Sequence, residues 1–276
     1  MPELPEVETV RRLLEPALAG RRIVAAEILD SRLTRPFAPG LVATELVGQH
    51  VVAVQRRGKY LSIVFESGRV LLVHLRMTGS FRVAPRGSYS PSAHRRAVLS
   101  MDNGSDVAYR DVRRFGTWEL FEPGELDPYL EARLGPEPFA RTVTGHWLVE
   151  RLSGRRAPLK AVLLDQRVLA GLGNIYVDEA LWRARLHPLR PASSLGLAEG
   201  TSIVRAVRAV LRLGISRQGA TLRDYVAPDG DEGAMQDEFR AYGREGEPCD
   251  RCRAPLARIV VAGRGTTFCP RCQPEP

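Results

Sequence analysis

The chain has 276 residues, 44% of them hydrophobic and 26% charged, which is the composition of a folded protein with one large domain or two smaller ones. Lys and Arg number 40 against 32 acidic residues, and the net charge of +8 suits a polyanionic partner such as nucleic acid or an anionic membrane surface, with a solvated basic face as the plainer alternative. No apolar run approaches the roughly 20 residues of a membrane-spanning helix and no leader-like segment opens the chain, so the expectation is a cytoplasmic protein.

The amino-terminal "MPELPEVETV" is acidic and proline-rich, against the sign of the whole chain. Val7, Val10, Leu13, Leu14 and Leu18 recur at helical spacing, with glutamates in the first turn where the helix dipole favours them. The period then changes to two. "RIVAAEILD", "HVVAVQRR", "YLSIVFE", "RVLLVHLR", "RAVLSMD", "DVAYRDV" and "TWELFE" read as strands, broken at "RGK", "ESGR" and "DNGS". Residues 1–125 therefore read as a helix followed by an antiparallel sandwich or barrel.

Gly- and Pro-rich stretches between 126 and 145 mark a linker. Beyond it, helical periodicity runs through "HWLVERLSG", "LKAVLLDQRVLAGLGN", "IYVDEALWRARLHP" and "TSIVRAVRAVLRLGISRQG", giving a helical region over 146–240. The last helix carries Arg205, Arg208 and Arg212 on one face, whose ordinary reading is a solvated stripe. A polar, glycine-rich stretch, "LRDYVAPDGDEGAMQDEF", follows as a long loop.

All four cysteines fall in 241–276. Cys249 and Cys252 form one CxxC and Cys269 and Cys272 another, with sixteen residues between. Four soft thiolates at this spacing favour one tetrahedral structural zinc over redox pairs or disulfides, and such a closed site has no open position for chemistry. The hairpin they hold presents Arg264 between two glycines at its tip, suited to a phosphate.

Seven separated stretches then resemble one family, in one order across nearly the whole chain. They are "PELPEVE" (2–8), "RRGKYL" (56–61), "HLRMTG" (74–79), "RRFG" (113–116), "LLDQRVLAGLGNIYVDEALW" (163–182), "YGREGEPC" (242–249) and the ribbon with "GRGTTFCPRCQ". Together they resemble the formamidopyrimidine-DNA glycosylases, repair enzymes that excise oxidised purines. The resemblance implies an α+β fold: an N-terminal helix with a two-layer antiparallel β-sandwich, a helical domain with a helix–two-turn–helix and a lesion-capping loop, and a four-Cys zinc ribbon. The partner it implies is double-stranded DNA carrying 8-oxoguanine or formamidopyrimidines, bound by a monomer in the bacterial cytoplasm, at the nucleoid and away from membranes.

The same resemblance implies roles by residue. Removal of Met1 exposes Pro2 as a secondary-amine nucleophile; an α-amine titrates near 8, so a neutral fraction exists near pH 7. Attack gives a Schiff base, then strand cleavage by β,δ-elimination. Glu3 is the adjacent acid/base, and Glu6 orients or relays protons. Lys59 contacts the phosphate beside the lesion and assists catalysis. Met77, Arg113 and Phe115 fill the gap left when the base is extruded. His94, Lys160, Asn174 and Arg264 are further DNA contacts, and Arg264 also takes part in catalysis. Read alone, Pro2 starts a helix, Lys59 serves a turn, and Met77 and Phe115 are core residues.

The chain departs from the family pattern at Arg110 and Val112, where many relatives read "HDPRRFG", and in the capping loop, which lacks a "G-x-P-G-x-F" ending. Alternatives from the same residues are the oxidised-pyrimidine branch, a catalytically inactive DNA-binding paralogue, and a ribosomal or transcriptional zinc-ribbon protein. The last leaves most of the chain unexplained.

Overall fold

The computed structural model describes residues 1–88, 93–221 and 232–275. The chain divides into two compact units, Met1–Ala132 with Arg217–Ala234, and Arg133–Ser216 with Met235–Pro276. The segment Arg217–Ala234, which its sequence position groups with the helices, thus folds with the first unit. Residues 222–231, the greater part of the expected capping loop, lie outside the described residues.

In chain order the first unit holds α1 (Leu4–Leu18), β1 (Ile23–Ile28), α2 (Pro39–Leu46), β2 (Val51–Arg57), β3 (Tyr60–Phe65), β4 (Val70–His74), β5 (Gly79–Pro85), β6 (Arg95–Met101), β7 (Ser105–Asp111), β8 (Thr117–Phe121) and α3 (Leu126–Glu131). Helix α1 starts where Glu3 and Glu6 form a reciprocal capping box, with proline in its first turn. Its apolar stripe, Leu4, Val7, Val10, Leu14 and Leu18, is fully buried. The eight strands make two antiparallel sheets, ordered β1-β6-β7-β5 and β2-β3-β4-β8. Ile23, Leu99, Val107 and Tyr109 from one and Val54, Ile63, Val73 and Trp118 from the other share a single core. The architecture is therefore the sandwich and not the barrel.

Strand β5 is absent from the strand-like runs read in the sequence. Its short alternation, Phe81 and Val83 against Ser80 and Arg82, is framed by glycine and proline, which read as turn residues. Pairing with β7 makes it the sheet edge, where a terminal proline costs no ladder bond. Helix α2 is likewise new; Pro39 sits in its first turn, where a missing N–H costs nothing.

The second unit contains α4 (Gly145–Leu152), α5 (Leu159–Leu164), α6 (Asn174–Ala184), α7 (Leu197–Ser216), β9 (Ala257–Val261) and β10 (Arg264–Phe268). The helical periodicity over 159–174 extends further than the helix. Helix α5 stops at Leu164 because the Gln166 side chain takes over the backbone partners of the following turns, donating to the carbonyls of Leu164 (3.0 Å) and Leu172 (2.8 Å) and accepting from Gly171 N (2.9 Å). The arginine stripe of α7 is not simply solvated. Arg208 donates to the carbonyls of Pro138, Ala140 and Val143 at 2.7–2.9 Å, tying the segment before α4 to α7. No helix among the described residues is long and apolar enough to cross a membrane.

Candidate active site and zinc ribbon

Pro2 is buried, and Glu3 and Glu6 are each 2% exposed, so the start of α1 is a dry place for a carboxyl pair. Glu6 spends one oxygen on the Glu3 amide (2.8 Å) and the other on the Ala220 amide (2.9 Å). This joins the amino terminus to the neck of the 217–234 segment, where Ala220 bridges Ala234. Gly219 allows the approach: its φ is +84°, and a Cβ there would lie 2.6 Å from the Glu6 Cγ.

Lys59 follows Gly58 (φ 58°) in the two-residue turn between β2 and β3 and is buried. Glu8 links that turn to α1. Its carboxylate accepts from Arg56 Nε at 3.1 Å, and Arg56 Nη1 donates to the Gly58 carbonyl at 3.0 Å. Burial alone would raise the Glu8 carboxyl, but hydrogen bonds from Arg11, Arg12 and Arg56 hold it below its ordinary value. His74, at the end of β4, is neutral: burial first, then the charges of Arg76 and Lys59, lower it to about 3. Its Nδ1 accepts from the Arg76 amide (3.0 Å), holding Arg76 at φ 55° in the turn before Met77.

Met77 is 37% and Phe115 51% exposed, so neither is the core residue that its type alone suggests. Both line one open cavity of about 590 Å³ with Met1, Arg32, Arg35, Arg76 and Arg114. Apolar tips on a cationic rim suit a nucleic-acid base and its phosphates. Arg113 is exposed, its guanidinium 4.8 Å from the Phe115 ring centroid. His94 is half-buried just before β6, and its carbonyl accepts from the Asp111 amide at 2.9 Å.

Arg114 forms a two-point ion pair with Asp30 (2.6 and 2.7 Å), and Arg96 lies 3.6 Å from the same carboxylate. The Arg114 hydrogen bond, opposed by burial, lowers Asp30 to about 2. An unfolded aspartate titrates near 3.9. The folded value is the lower one, so this stabilisation is complete above about pH 4 and is lost as pH falls through about 2. Arg114→Ala should flatten the acid limb of stability between those values, measured as the urea-unfolding free energy against pH; an unchanged limb would remove Asp30 from the acid response.

In the second unit the structure corrects one expectation. Lys160 is fully buried and presents no surface to a phosphate. Its ammonium pairs with Asp178 at 2.6 Å and donates to Thr266 Oγ1 (2.7 Å) and the Gly265 carbonyl (3.2 Å). Asn174 Nδ2 donates to the same carbonyl at 3.0 Å, and Thr267 N donates to Asp178 at 3.1 Å. Lys160 and Asn174 therefore grip the hairpin that carries Arg264. Arg264 itself is exposed as the first residue of β10, directly after a two-residue turn in which Ala262 (φ 49°) and Gly263 (φ 73°) are both left-handed, the hairpin geometry that twisted strands prefer.

The four cysteine sulfurs lie within 4.8 Å of one another and none forms a disulfide. Zinc–thiolate bonds of about 2.3 Å require such a cluster, and the all-sulfur donor set fits one structural zinc. Trp182 from α6 packs against Cys249, Leu256 and Cys269, and Arg251 stacks on its ring at 3.8 Å. Chelation should therefore shift tryptophan emission and weaken DNA binding together; unchanged fluorescence after verified zinc loss would show a ribbon that folds without metal.

The sequence singled out neither Asp30, Thr78, Asp111 nor Asp178. The last three lie inside or beside the quoted motifs, but their partners are remote in sequence and no local pattern names them.

Fold and site define a class: an α+β protein whose β-sandwich carries the amino terminus and whose helical unit ends in a four-thiolate zinc ribbon. The formamidopyrimidine-DNA glycosylase N-terminal domain matches residues 1–118, the helix–two-turn–helix domain of the same enzymes 134–226, and the zinc finger found in FPG and IleRS 246–274. The chain belongs to the formamidopyrimidine-DNA glycosylase family. It is 48% identical over 284 residues to the formamidopyrimidine-DNA glycosylase of Cereibacter sphaeroides strain ATCC 17025, covering 99% of this chain and all of that one. It is 46% identical over 278 residues to that of Symbiobacterium thermophilum, covering the whole chain and 90% of the relative. A Lactococcus lactis FPG mutant in complex with Fapy-dG DNA matches with a TM-score of 0.93 at 38% identity, over 99% of this chain and all of that one. MutM in complex with carbocyclic 8-oxo-G DNA matches at 0.92 and 37%, with the same coverage.

Proposed function

We infer that this chain is a bifunctional DNA glycosylase and AP lyase of base-excision repair, acting on 8-oxoguanine and formamidopyrimidines in double-stranded DNA. The observation that carries the reading is the dry amino terminus, where Pro2 adjoins the buried Glu3–Glu6 capping box in the unit that also presents Met77, Arg113 and Phe115. The solved relatives named above hold DNA containing Fapy-dG or carbocyclic 8-oxo-G. The reading extends to a monomer working in the bacterial cytoplasm.

With Met1 removed, the Pro2 nitrogen attacks C1′ of the extruded nucleotide. The glycosidic bond breaks and the base leaves with a proton. Glu3 protonates the ring oxygen as the sugar opens, giving an iminium between Pro2 and C1′. That cation draws electrons from C2′; loss of the C2′ proton expels the 3′ phosphate, and a second elimination expels the 5′ phosphate. Lys59 holds the phosphate beside the lesion, and Arg264 reaches the backbone from the ribbon. Zinc supplies no step; it fixes the hairpin.

Incubation with an 8-oxoguanine duplex and borohydride should reduce the iminium to a stable protein–DNA adduct. No adduct with any oxidised-base duplex would end this reading. A wild-type Lactococcus lactis FPG is solved with DNA containing an oxidised pyrimidine. A duplex with such a base in the same assay therefore tests a wider lesion range.

A further inference from the structure

We infer that Asp111 is a positioning residue for the strand-intercalating side chains, joining the Met77 turn and the Arg113–Phe115 loop into one unit. The inference rests on the reading that Met77, Arg113 and Phe115 enter the DNA. These tips are exposed, so packing gives them little hold. Their placement follows from the backbone of two separate connections, β4 to β5 and β7 to β8.

Asp111 ends β7 and is 1% exposed. One carboxylate oxygen accepts the Thr78 hydroxyl, and the other accepts the Gly116 amide at 2.7 Å. The Thr78 oxygen in turn accepts the Arg113 amide at 2.9 Å. One buried carboxylate thus ties the residue after Met77 to the residues on both sides of the Arg114–Phe115 pair. Two glycines let the loops close: a Cβ on Gly79 would lie 2.3 Å from the Tyr109 hydroxyl oxygen, and one on Gly116 only 1.9 Å from it. The Asp30–Arg114 ion pair holds the same loop from its other side. The carboxylate offers one oxygen to each of the two donors. An amide in its place keeps a single acceptor oxygen, and its NH2 meets the Thr78 oxygen only when the hydroxyl proton turns away from it, so the charge-assisted bond is lost.

The test compares wild type, Asp111→Asn, Thr78→Val and Thr78→Ser, with Arg113→Ala as reference, after thermal melts show each folded. Single-turnover excision of 8-oxoguanine is measured opposite cytosine and opposite adenine. β-Elimination is measured separately on a single-stranded abasic oligonucleotide, where no partner base is left to replace. Asp111→Asn and Thr78→Val should lower duplex excision about tenfold, as for one lost charge-assisted hydrogen bond. They should also move the cytosine-to-adenine ratio toward that of Arg113→Ala and leave the single-strand lyase rate unchanged, whereas Thr78→Ser, which keeps the hydroxyl, should behave as wild type. Wild-type excision and partner ratio in folded Thr78→Val or Asp111→Asn would overturn the inference while leaving the glycosylase reading intact. So would a parallel fall in the single-strand rate. Absence of excision by wild type would overturn the glycosylase reading, a partner ratio untouched in Arg113→Ala would overturn the placement of Arg113 in the DNA, and the inference falls with either.

Discussion

Extending the chain by even one uncleavable residue ahead of Pro2 should abolish the borohydride adduct. The extension turns the proline nitrogen into a tertiary amide, whose lone pair is delocalised into the carbonyl and cannot attack C1′. The drop should be at least about a thousandfold, as when a covalent nucleophile is deleted. DNA binding should persist, because the residues proposed to meet the phosphates and the gap in the stack are untouched. Pro2→Gly is the finer probe. It keeps an amine but loses the ring that fixes its direction, and Gly is free to rotate. A reacting atom displaced by about 1 Å costs roughly a hundredfold, so trapping by Pro2→Gly should fall by about that factor. Intact mass of the purified protein checks that Met1 has been removed. An extended protein that still traps at the wild-type rate would require a different nucleophile.

Lys160→Met should be among the most destabilising single substitutions in the helical unit. Burial raises Asp178 to about 6 even with Lys160 beside it, so its charged form depends on that ammonium. Removing one member of such a buried pair leaves a charge without a partner and costs about 3–5 kcal/mol. Replacing both, as Lys160→Met with Asp178→Asn, should recover part of that loss, since the pair is then uncharged and the amide oxygen still accepts from Thr267 N. Urea unfolding of the zinc-loaded protein reads both. The competing role, a direct phosphate contact, makes the opposite prediction. It would leave stability unchanged and lower the salt slope of DNA binding by about one charge. That result would reinstate Lys160 as a DNA contact.

The contrast between Lys160 and Cys249 shows where sequence reading works. The ribbon was legible because its information is local: two CxxC pairs at a set spacing favour zinc over redox pairs or disulfides, and the structure gathers the four sulfurs within 4.8 Å with none in a disulfide. Helix α1 was legible for the same reason, through its proline, its glutamates and its 3.6-residue stripe. Lys160 was not. It stands just before the stretch that begins at Leu163, and its match to a family phosphate contact suggests a DNA role. Only the fold shows Asp178 and Thr266 closing over it.

By itself the sequence determined the family, the zinc ligands, the amino-terminal Pro2–Glu3 pair and the succession of helix, strands and helices, all properties carried by neighbours along the chain. The tertiary structure decided the rest. It made β5 an edge strand, ended α5 at Leu164, exposed Met77 and Phe115, buried Lys160 and tied Thr78 to Asp111 across 33 positions. Each of these depends on partners remote in sequence. Burial and hydrogen-bond satisfaction are settled by whatever the fold brings alongside a residue, and local spacing does not carry that information.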